Sequence, residues 1–560
     1  MEEIWLKSYP AYVPTTWEPI PTQHDLVQLF QIACERYCDR TAFSSFDRSL
    51  SYHELARHTA HLAAYFQHTW QLKKGDRMAI MLPNILQFPV VFFAALQAGL
   101  VIVPVNPLYT PRELKLQLKD AQVSAMVIFA DMAHKLEEVL KEVPIRYVMV
   151  TRLTDMLKFP QSLFITLYLK YKKRSPAFNI PGVVYFNEAV HQGQSYTLTP
   201  VPLTAHDLAL LQYTGGTTGL PRGVMLTHAN LLANVAQTKI WIEPVIRTAK
   251  HKVALAPLPM YHIFSLMAHN LLLLSLGYES ILIVDPRHID GIIKILKKRP
   301  LVLITGVNTL YNALLCNRQF KHLDFSQQKV SLAGGMALHP TTARQWQAIT
   351  GKPLIEAYGL TETSPAAIIN PLDLPDYNGA MGLPLPGTQI KVCDESEQEV
   401  VLGLVGELYL KGPQVTQGYW HNKEETAHSL TPDGWLKTGD LVKMDALGFV
   451  YFVDRKKDML VVSGFNVYPT EIEAVICTHP GVFDAAVIGV PDPVTGQRIK
   501  CFVVKKDPNL TIGNLRAYLH QQLTGYKRPQ IIEFCDSLPK TNVGKVLRRA
   551  LRGNDENTPK

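Results

Sequence analysis

Apolar positions in the first 200 residues alternate between the spacing of helices and that of strands. Residues 25–37 place Leu26, Leu29, Phe30 and Ala33 on one helical face. Short apolar runs bounded by glycine, proline or charge predict buried strands. Such runs lie at 78–82, 100–105, 126–130 and 147–150, and again at 280–284, 301–305 and 330–333. Because these strands are separated by helical stretches, the chain is predicted to form doubly wound α/β layers.

The pattern changes after about residue 380, where seven glycines between 403 and 448 separate short strand-like runs. This spacing predicts a small β-rich subdomain over about 380–456. The charged cluster Asp454–Asp458 has no apolar period, so it is predicted to be a solvated hinge. Beyond the hinge, Thr470 and Glu473 form a capping-box pattern that predicts a helix start. Strands at 485–490 and 500–505 and a helix over 512–523 are predicted to follow.

The predicted architecture is a large N-terminal domain over 1–456, followed by a small mobile α/β domain over 457–560. A chain of 560 residues exceeds what a single core holds. Apolar content of 47% with 19% charged residues excludes a disordered chain. The net charge of +8 suits anionic small molecules, an anionic membrane or simply a solvated surface, and no nucleic-acid partner is expected.

The cysteine pattern and the N-terminal residues give information about the cellular compartment of the protein. Seven scattered cysteines without a Cys-x-x-Cys pair indicate neither a zinc site nor a disulfide framework. No secretory signal is present at the start of the sequence, so a cytoplasmic protein is expected. The richest apolar run, residues 263–276, is too short for a membrane span and predicts a buried helix.

Residues 163–174 run from apolar and aromatic side chains directly into a basic cluster. This pattern is typical of a segment that lies on a membrane surface, here the inner membrane. A packed helix whose C-terminal dipole attracts the cations explains it as well. Both interpretations stay open, and with the first the protein would be peripheral on the cytoplasmic membrane.

The segment Tyr213–His228 carries the strongest chemical signal in the chain. Its glycines, Gly215, Gly216 and Gly219, let the main chain approach a ligand closely. Its threonines add hydroxyl donors beside backbone N–H groups that can bind an anion. The segment is neither a Walker A loop nor a G-x-G-x-x-G motif. We therefore interpret it as a phosphate-binding loop, with a structural turn as the alternative.

Four further motifs follow in a fixed order. They are residues 356–362 (EAYGLTE), 434–440 (GWLKTGD), 451–469 (from YFVDRKKD to SGFNVYP) and 539–545 (PKTNVGK). Each motif alone is weak, but together they are specific. At this point the chain resembles, essentially from end to end, the acyl-adenylate-forming superfamily of acyl-CoA synthetases, luciferases and peptide-synthetase adenylation domains. Within that superfamily it is similar to the bacterial long-chain fatty-acid–CoA ligases.

The resemblance implies ATP, Mg²⁺ and coenzyme A as cofactors or co-substrates, and a role for each motif residue. Lys545, Glu362 and Thr214 would be catalytic, with Thr214 and Glu362 also holding Mg²⁺. The implied nucleotide-binding residues are Tyr213, Thr214, Gly215, Gly216, Thr217, Thr218, Gly219, Leu220, Pro221, Arg222, Gly223, Val224, Gly334, Gly335, Glu356, Tyr358, Gly359, Thr361, Asp440 and Arg455. Ser463 and Gly464 would join the site in the second step.

The implied reaction has two steps. A fatty carboxylate attacks the α-phosphate of ATP and expels pyrophosphate, and the CoA thiolate then displaces AMP from the acyl-AMP. The resemblance implies that the C-terminal domain rotates about Lys457 between the steps, which removes Lys545 and brings in Ser463 and Gly464. His262 resembles a residue that gates the acyl pocket, although a core histidine explains it nearly as well.

Two residues depart from the family pattern: Arg222 stands where the loop usually carries Lys, and Gln497 where Glu is common. Neither departure touches Lys545, Glu362 or Asp440, so an active ligase for a long-chain fatty acid is expected. A fatty-acyl-AMP ligase that loads a carrier protein and a non-catalytic lipid-binding or membrane-scaffold protein remain the alternatives. A homodimer is a further expectation, while chain-length preference and pathway stay open.

Overall fold

The computed structural model describes residues 3–18, 25–46, 48–157, 176–215, 221–492, 495–541, 544 and 546–553. The predicted segment 163–174 therefore lies outside the described residues, as do Gly216, Thr217, Thr218, Gly219, Leu220 and Lys545. Within the described ranges, none of the helices combines the length and apolarity that crossing a bilayer requires.

Two large, mostly parallel sheets form the N-terminal part of the molecule. The first has seven strands, in spatial order Val184–Tyr185, Tyr147–Thr151, Ala125–Phe129, Arg77–Met81, Val101–Pro104, Leu208–Gly215 and Pro221–Thr227. Only its last pair is antiparallel, and that pair is the hairpin that carries the Gly/Thr loop. The hairpin therefore projects from the edge of a buried parallel sheet, which fixes where the loop begins and ends.

The second sheet has nine strands. Their order is Leu383–Pro384, Ala366–Ile369, Ile355–Gly359, Val330–Gly334, Leu303–Gly306, Val253–Ala256, Glu279–Leu282, Thr41–Ser45 and Arg48–Ser51. Its central strands are parallel and its outer ones antiparallel. Strands Val330–Gly334 and Ile355–Gly359 are neighbours, so the two predicted adenine-site motifs leave the sheet at the same edge.

Helices cover both sheets and also fill the space between them. The α-helices are Leu26–Arg36, Tyr52–His68, Gln87–Gln97, Pro111–Asp120, Ala133–Val139, Phe186–Gly193, His228–Ile246, Ile263–Ser265, Ile289–Lys298, Asn308–Cys316, Pro340–Thr350, Lys423–Ser429, Pro469–Ile476, Ile512–Gln522 and Arg548–Gly553. A π-helix spans Leu266–Leu273, and short 3₁₀ turns lie at Ile4–Ser8, Ala130–Met132, Phe320–His322, Thr361–Thr363, Lys456–Asp458 and Gly525–Lys527.

The largest apolar core lies between the two sheets, since it takes residues from both of them and from the helices His228–Ile246 and Leu266–Leu273. A separate apolar core lines the outer face of each sheet. The predicted doubly wound α/β layers are thus confirmed. The predicted buried helix at 263–276 is also present, but most of it is wound as a π-helix, a form that often marks functional sites.

A four-stranded antiparallel sheet follows, formed by Gln389–Cys393, Gly406–Lys411, Leu436–Met444 and Val450–Arg455. The C-terminal region contains a hairpin, Leu460–Val462 with Phe465–Val467, and a three-stranded sheet of Val482–Asp492, Gly496–Lys505 and Ile531–Cys535. This region has its own apolar core. The predicted fold class, a large α/β domain with a β-rich part and a small α/β domain, is confirmed, while the exact domain boundaries stay predictions.

The predicted capping box at Thr470 and Glu473 is wrong. The helix begins at Pro469, two residues before the start that a cap at Thr470 would give, and the missing N–H of proline suits the first helical position. The Thr470 N–H donates to Asp454 Oδ2 at 2.8 Å. The Glu473 carboxylate instead accepts hydrogen bonds from the Val487 N–H and from the Arg548 guanidinium. A buried arginine therefore overrides the local capping pattern.

The prediction of a solvated hinge at Asp454–Asp458 is wrong in one respect. Asp454 and Asp458 are buried, and only Lys456 and Lys457 between them are exposed. Asp458 pairs with Arg548 at 3.2 Å and with Arg552 at 3.3 Å, both on the final helix. The segment thus presents its cations to solvent while its carboxylates bind the small domain. Hinge motion about Lys457 stays a prediction.

Candidate active site

One cavity of about 790 Å³ is lined by nine of the predicted site residues. It lies between the large sheets, the antiparallel sheet and the segment Arg455–Lys457. Thr214, Arg222, Gly334, Gly335, Tyr358, Gly359, Thr361, Glu362 and Arg455 all line it. These residues come from four sequence regions, so the fold assembles the motifs around one space.

Glu362 occupies the polar end of the cavity together with Thr214. Tyr419 donates its hydroxyl to Glu362 Oε1 at 2.9 Å, and the Glu362 carbonyl accepts the Thr416 N–H at 2.8 Å. Burial raises the pKa of Glu362 above its usual range. A bound cation would relieve that cost, and carboxylate and hydroxyl oxygens are the donors that Mg²⁺ prefers. The residues present therefore fit the predicted metal.

Three of the cations that line the cavity, Arg222, Arg455 and Lys457, lie close enough to interact electrostatically. Lys457 stays accessible to solvent, but its partial desolvation, and then the charge of Arg455, lowers its pKa, with a smaller contribution from Arg222. Cations held this close repel one another, so the arrangement favours an anion with several charges between them. Arg222 also pairs with Glu425, on the helix Lys423–Ser429. That pairing holds the arginine at the cavity wall.

Asp440 lies at the centre of a cluster of polar side chains formed with Tyr358 and Arg455. Its Oδ2 accepts the Tyr358 hydroxyl at 2.7 Å, and its Oδ1 lies 3.1 Å from Arg455 Nε. The carboxylate is 1% exposed and lies behind the cavity wall, whereas both of its partners line the cavity. A sugar diol that bonds to Asp440 must therefore share or displace Tyr358 and Arg455.

Glu356 is buried rather than placed on the cavity wall. The Leu338 N–H donates to its Oε1 at 3.4 Å, and its Oε2 has no hydrogen-bond partner among the described residues. Burial raises the pKa of Glu356 to about 8. The side chain is therefore protonated at neutral pH, and it points away from the cavity lining although it belongs to the strand Ile355–Gly359.

Close backbone approach explains two of the predicted glycines. A Cβ on Gly359 would lie 1.8 Å from the Pro365 carbonyl oxygen, so no side chain fits there. Gly335 has a φ of +80°, which favours glycine. Both positions shape the cavity wall beside Tyr358.

The other end of the cavity is apolar. It lies between the helix His228–Ile246 and the π-helix, and its lining includes Ile242, Met267, Ala268, Leu272 and Ile369. Inside the π-helix, His269 is fully buried and bonds to Ser280 at 2.9 Å and Thr305 at 3.0 Å. Burial lowers the pKa of His269 to about 3, so it stays neutral. The described residues of this wall are thus mostly apolar and carry no charge.

His262 lies where the apolar and polar ends meet. It lines the cavity, and its Nδ1 accepts the Phe264 N–H at 3.4 Å, at the start of the helix Ile263–Ser265. Burial lowers the pKa of His262 to about 4. The two sequence interpretations are therefore compatible, because this histidine is both a helix cap and part of the cavity wall.

The residues on either side of the phosphate-binding loop differ in whether they line the cavity. Thr214 and Arg222 line the cavity, whereas the Tyr213 hydroxyl donates to Asp120 on the far side of its strand. Gly223 packs against the Tyr213 ring. Val224 is fully buried and pairs with Tyr419. These last three residues shape the hairpin rather than face the cavity.

The two segments predicted to alternate at the site are found in different places. Gly544, which precedes Lys545, lies next to Thr309 and Val307 of the large domain. Ser463 and Gly464 form an exposed hairpin turn, and they are absent from the described cavity lining. The Ser463 N–H donates to the Thr495 carbonyl, and Gln497 accepts the Val461 N–H at 2.9 Å. In this orientation Gly544 therefore lies against the large domain, whereas the 463–464 turn is exposed.

Sequence reasoning missed several cavity residues. Tyr419 and Glu425 line the cavity but fall outside the motifs that guided the prediction, and Thr438 lines it within the 434–440 motif although it was not predicted as a site residue. Lys457 was predicted only as a hinge, yet it contributes to the cationic wall. Tyr419 follows Gly418, and this aromatic beside a glycine was the one local signal available.

A large α/β domain with a Gly/Thr hairpin beside a cationic cavity, followed by a small α/β domain, defines the class of adenylate-forming enzymes. Two family models match the chain: AMP-binding enzyme over residues 30–420, and AMP-binding enzyme C-terminal domain over residues 471–545. The chain belongs to the AMP-binding enzyme family.

Relatives of the same length share this family. The chain is 47% identical to a long-chain-fatty-acid–CoA ligase of Escherichia coli O6:H1, over 99% of this chain and 98% of that protein. It is 37% identical to a long-chain-fatty-acid–CoA ligase of Bacillus subtilis, over 98% and 97% of the two chains.

Solved structures confirm the fold. ATP-bound MatB from Rhodopseudomonas palustris superposes with a TM-score of 0.81 at 29% identity, covering 95% of this chain and 99% of that one. The anthranilate CoA ligase AuaEII in complex with anthranoyl-AMP has a TM-score of 0.84 at 22% identity, covering 96% and 98%. The second likeness concerns the fold alone.

Proposed function

We propose that this protein is an ATP-dependent, AMP-forming long-chain fatty acid–CoA ligase. The observation that carries the proposal is the single cavity that joins an apolar wall to a polar region with charged side chains of both signs, such as Arg222, Arg455 and Glu362. The apolar wall suits the hydrocarbon chain of a fatty acid, and the polar region suits a nucleotide triphosphate. The reacting groups of the two substrates would meet where these two parts of the cavity join. The 37–47% identity to bacterial ligases over nearly the whole chain supports the same substrates.

The apolar end would hold the acyl chain. Each methylene removed from water contributes about 0.8 kcal/mol, so a long chain gains affinity with every carbon that the cavity accepts. No charged side chain belongs to the described wall formed by Ile242, Met267 and Ala268, so nothing there penalises burial of a hydrocarbon. The carboxylate would then emerge near His262 and point toward the polar end.

The polar end would hold ATP. Arg222, Arg455 and Lys457 would face the phosphates, and Tyr358 with Gly334 and Gly335 would flank the base. Asp440 would bind the ribose hydroxyls by exchanging its bonds with Tyr358 and Arg455. Thr214 and Glu362 would hold Mg²⁺, which supplies neutralisation of phosphate charge when bound.

Positioning and charge neutralisation would carry the first reaction step, because the protein forms no covalent bond in it. The cavity orients the carboxylate oxygen toward the α-phosphorus, and the leaving pyrophosphate stays among the cations. Lys545 would place a compact positive charge near the pentavalent phosphorus. Support for this role is the position of Gly544 against Thr309 and Val307.

The second step would need a different orientation of the small domain. Here the 463–464 turn is exposed and is not part of the described cavity lining, so CoA transfer would follow a rotation about Lys457. The salt bridges from Asp458 to Arg548 and Arg552 would travel with the small domain, since all three residues follow Lys457.

The direct test incubates purified protein with ATP, Mg²⁺, CoA and a series of fatty acids from medium to long chain. Oleoyl-CoA and AMP should form together in equal amounts. Formation of oleoyl-AMP without the thioester would indicate the fatty-acyl-AMP ligase alternative. Absence of pyrophosphate release with every acid would leave a non-catalytic lipid-binding protein.

Location and assembly are finer parts of the proposal. We infer a cytoplasmic protein that contacts the inner-membrane surface through residues 163–174, on the pattern of that sequence alone. Neutralising Lys170, Lys172, Lys173 and Arg174 should weaken co-sedimentation with anionic liposomes. Unchanged co-sedimentation would instead support the interpretation of this segment as a packed helix.

A homodimer remains a proposal that size-exclusion chromatography with light scattering can test.

A further inference from the structure

Three side chains of metal-binding type converge where the small domain meets the large one. They are His339, Cys477 and Asp484, and their ligand atoms all lie within 4.8 Å of one another. The sequence indicated no zinc site, because these residues are separated by up to 145 positions and match no ligand spacing. Only the folded chain brings them together.

Each of the three comes from a different element. His339 precedes the helix Pro340–Thr350 of the large domain, and its N–H donates to Asn308 Oδ1 at 3.0 Å. Cys477 ends the helix Pro469–Ile476, and Asp484 lies in the strand Val482–Asp492. All three are partly buried. The cluster therefore has one ligand from the large domain and two from the small domain.

The donor set suits a borderline-soft transition ion. Imidazole, thiolate and carboxylate are the zinc ligands of proteins, with bonds that place their atoms about 3.5 Å apart. The present spacing would need a contraction of about 1 Å, which side-chain rotation supplies. Three protein ligands also leave a fourth position for water.

Binding of an ion at this site requires that Lys540, which pairs with Asp484, first moves away. Lys540 pairs with Asp484 Oδ2, and Asp484 Oδ1 accepts the Ala485 N–H at 2.9 Å. A carboxylate has further lone pairs, so it can ligate an ion once Lys540 swings away. Burial raises the pKa of Cys477 and lowers that of His339. The imidazole is then neutral and ready to ligate, while the thiol must lose a proton when an ion binds.

The geometry points to an inhibitory zinc site formed by His339, Cys477 and Asp484 across the two domains. An ion bound to all three would hold the domains in the present orientation. This consequence rests on the proposed function, since in that scheme the orientation serves adenylation and must be left before CoA transfer. Zinc would therefore leave acyl-AMP formation running and slow thioester formation.

Cobalt binding tests the site without reference to activity. Co²⁺ titrated into the full-length protein should give a thiolate-to-cobalt charge-transfer band with one equivalent bound, and Zn²⁺ should abolish it. Cys477→Ser should remove the band, and His339→Gln should weaken binding at least about tenfold. Cys316→Ser, at an exposed cysteine far along the chain, is the matched control and should change nothing.

Binding should also strengthen as pH rises, because each ion displaces the Cys477 proton. Melting curves of every variant without metal show whether folding is intact. A band that persists in Cys477→Ser would overturn the proposal, as would a band lost equally in Cys316→Ser. Cys535 lies close enough to influence Asp484, so loss of the band in Cys535→Ser alone would assign the thiolate there instead.

Half-reaction kinetics test the consequence. With free Zn²⁺ fixed by a metal buffer and Mg²⁺ saturating, CoA transfer from supplied acyl-AMP should slow by about tenfold or more. Fatty-acid-dependent pyrophosphate exchange should change little, and Cys477→Ser should be insensitive in both assays. Equal slowing of both half-reactions in wild type and variant would contradict the domain lock. A positive cobalt band with no exchange activity would leave the site standing and overturn the proposed function.

Discussion

The two ends of the cavity are built by different physical means. At the polar end, each functional group is fixed by named partners, such as Tyr419 on Glu362 and Tyr358 with Arg455 on Asp440. At the apolar end, the wall consists of packed side chains between the helix His228–Ile246 and the π-helix, without directional bonds to the cavity. One end is specified by hydrogen-bond geometry and the other by volume.

This difference predicts different responses to substitution. A polar group loses its effect when its charge or reach changes, even if its volume is kept. An apolar wall tolerates changes in chemistry but responds to changes in space. Variants at the two ends should therefore separate the rate of adenylation from the choice of acyl chain.

The largest effect is expected at the polar end. Lys545→Ala should slow adenylation by roughly a hundredfold to a thousandfold, because one donor to the developing phosphoryl charge is lost. CoA transfer from supplied acyl-AMP should be spared, since the lysine serves the first step only. Separate assays of pyrophosphate exchange and thioester formation check this.

Arg549→Ala is the matched control for Lys545→Ala, because Arg549 is exposed and close in sequence. It should change neither half-reaction. If Lys545→Ala lowers both steps to the same extent, the division of labour between the two domain orientations is contradicted.

A change of volume at the apolar end should alter selectivity instead. Ala268→Phe would fill part of the space beside Met267 and Leu272. If about four methylenes lose their place, kcat/KM for a long-chain acid should fall roughly two hundredfold at about 0.8 kcal/mol for each. Shorter acids should retain most of their activity, which a chain-length series measures.

Met267→Leu nearly conserves volume and serves as the control, with little expected change in the series. A uniform loss for all chain lengths in Ala268→Phe would mean that this wall does not bound the acyl chain.

The smallest effect on catalysis is expected at Glu356, which is buried off the cavity wall and should affect stability instead. Burial raises the pKa of Glu356 from 4.5 to about 8, so the native state keeps a proton that the unfolded state releases. Stability from this group is full below about pH 4.5 and is lost as pH rises to about 8. Relative to wild type, Glu356→Gln should therefore flatten the fall in the free energy of unfolding over that range.

Chemical denaturation at several pH values gives the comparison for Glu356, and ATP binding should hardly change because Glu356 lies off the cavity wall. Parallel pH profiles of wild type and variant would show that the carboxyl group is ionised in the native state.

The difference between the polar and the apolar end of the cavity also explains which features could be predicted from the sequence. The motif residues Glu362, Tyr358 and Thr214 were predicted because fixed chemistry needs fixed residue types, and they line the cavity. The strands and the buried helix near 263–276 followed from apolar spacing. The π-helical winding did not, because it depends on how that helix packs between two sheets.

Other features depend on contacts that are distant in sequence. Thr470 and Glu473 formed a plausible capping box, but Arg548 binds Glu473 from the final helix. Asp454 and Asp458 looked solvated, but the same small domain buries them. The acyl wall joins residues more than 100 positions apart, such as Ile242 and Ile369, and no local pattern encodes the space between them.

The central claim is that one cavity unites a lipid carboxylate with ATP. Exchange of labelled pyrophosphate into ATP, measured with and without oleate, tests it most directly because it needs neither CoA nor domain rotation. We predict exchange far above background that depends on the fatty acid and on Mg²⁺. Exchange at background with every acid tried, in protein that is folded and binds ATP, would contradict the account.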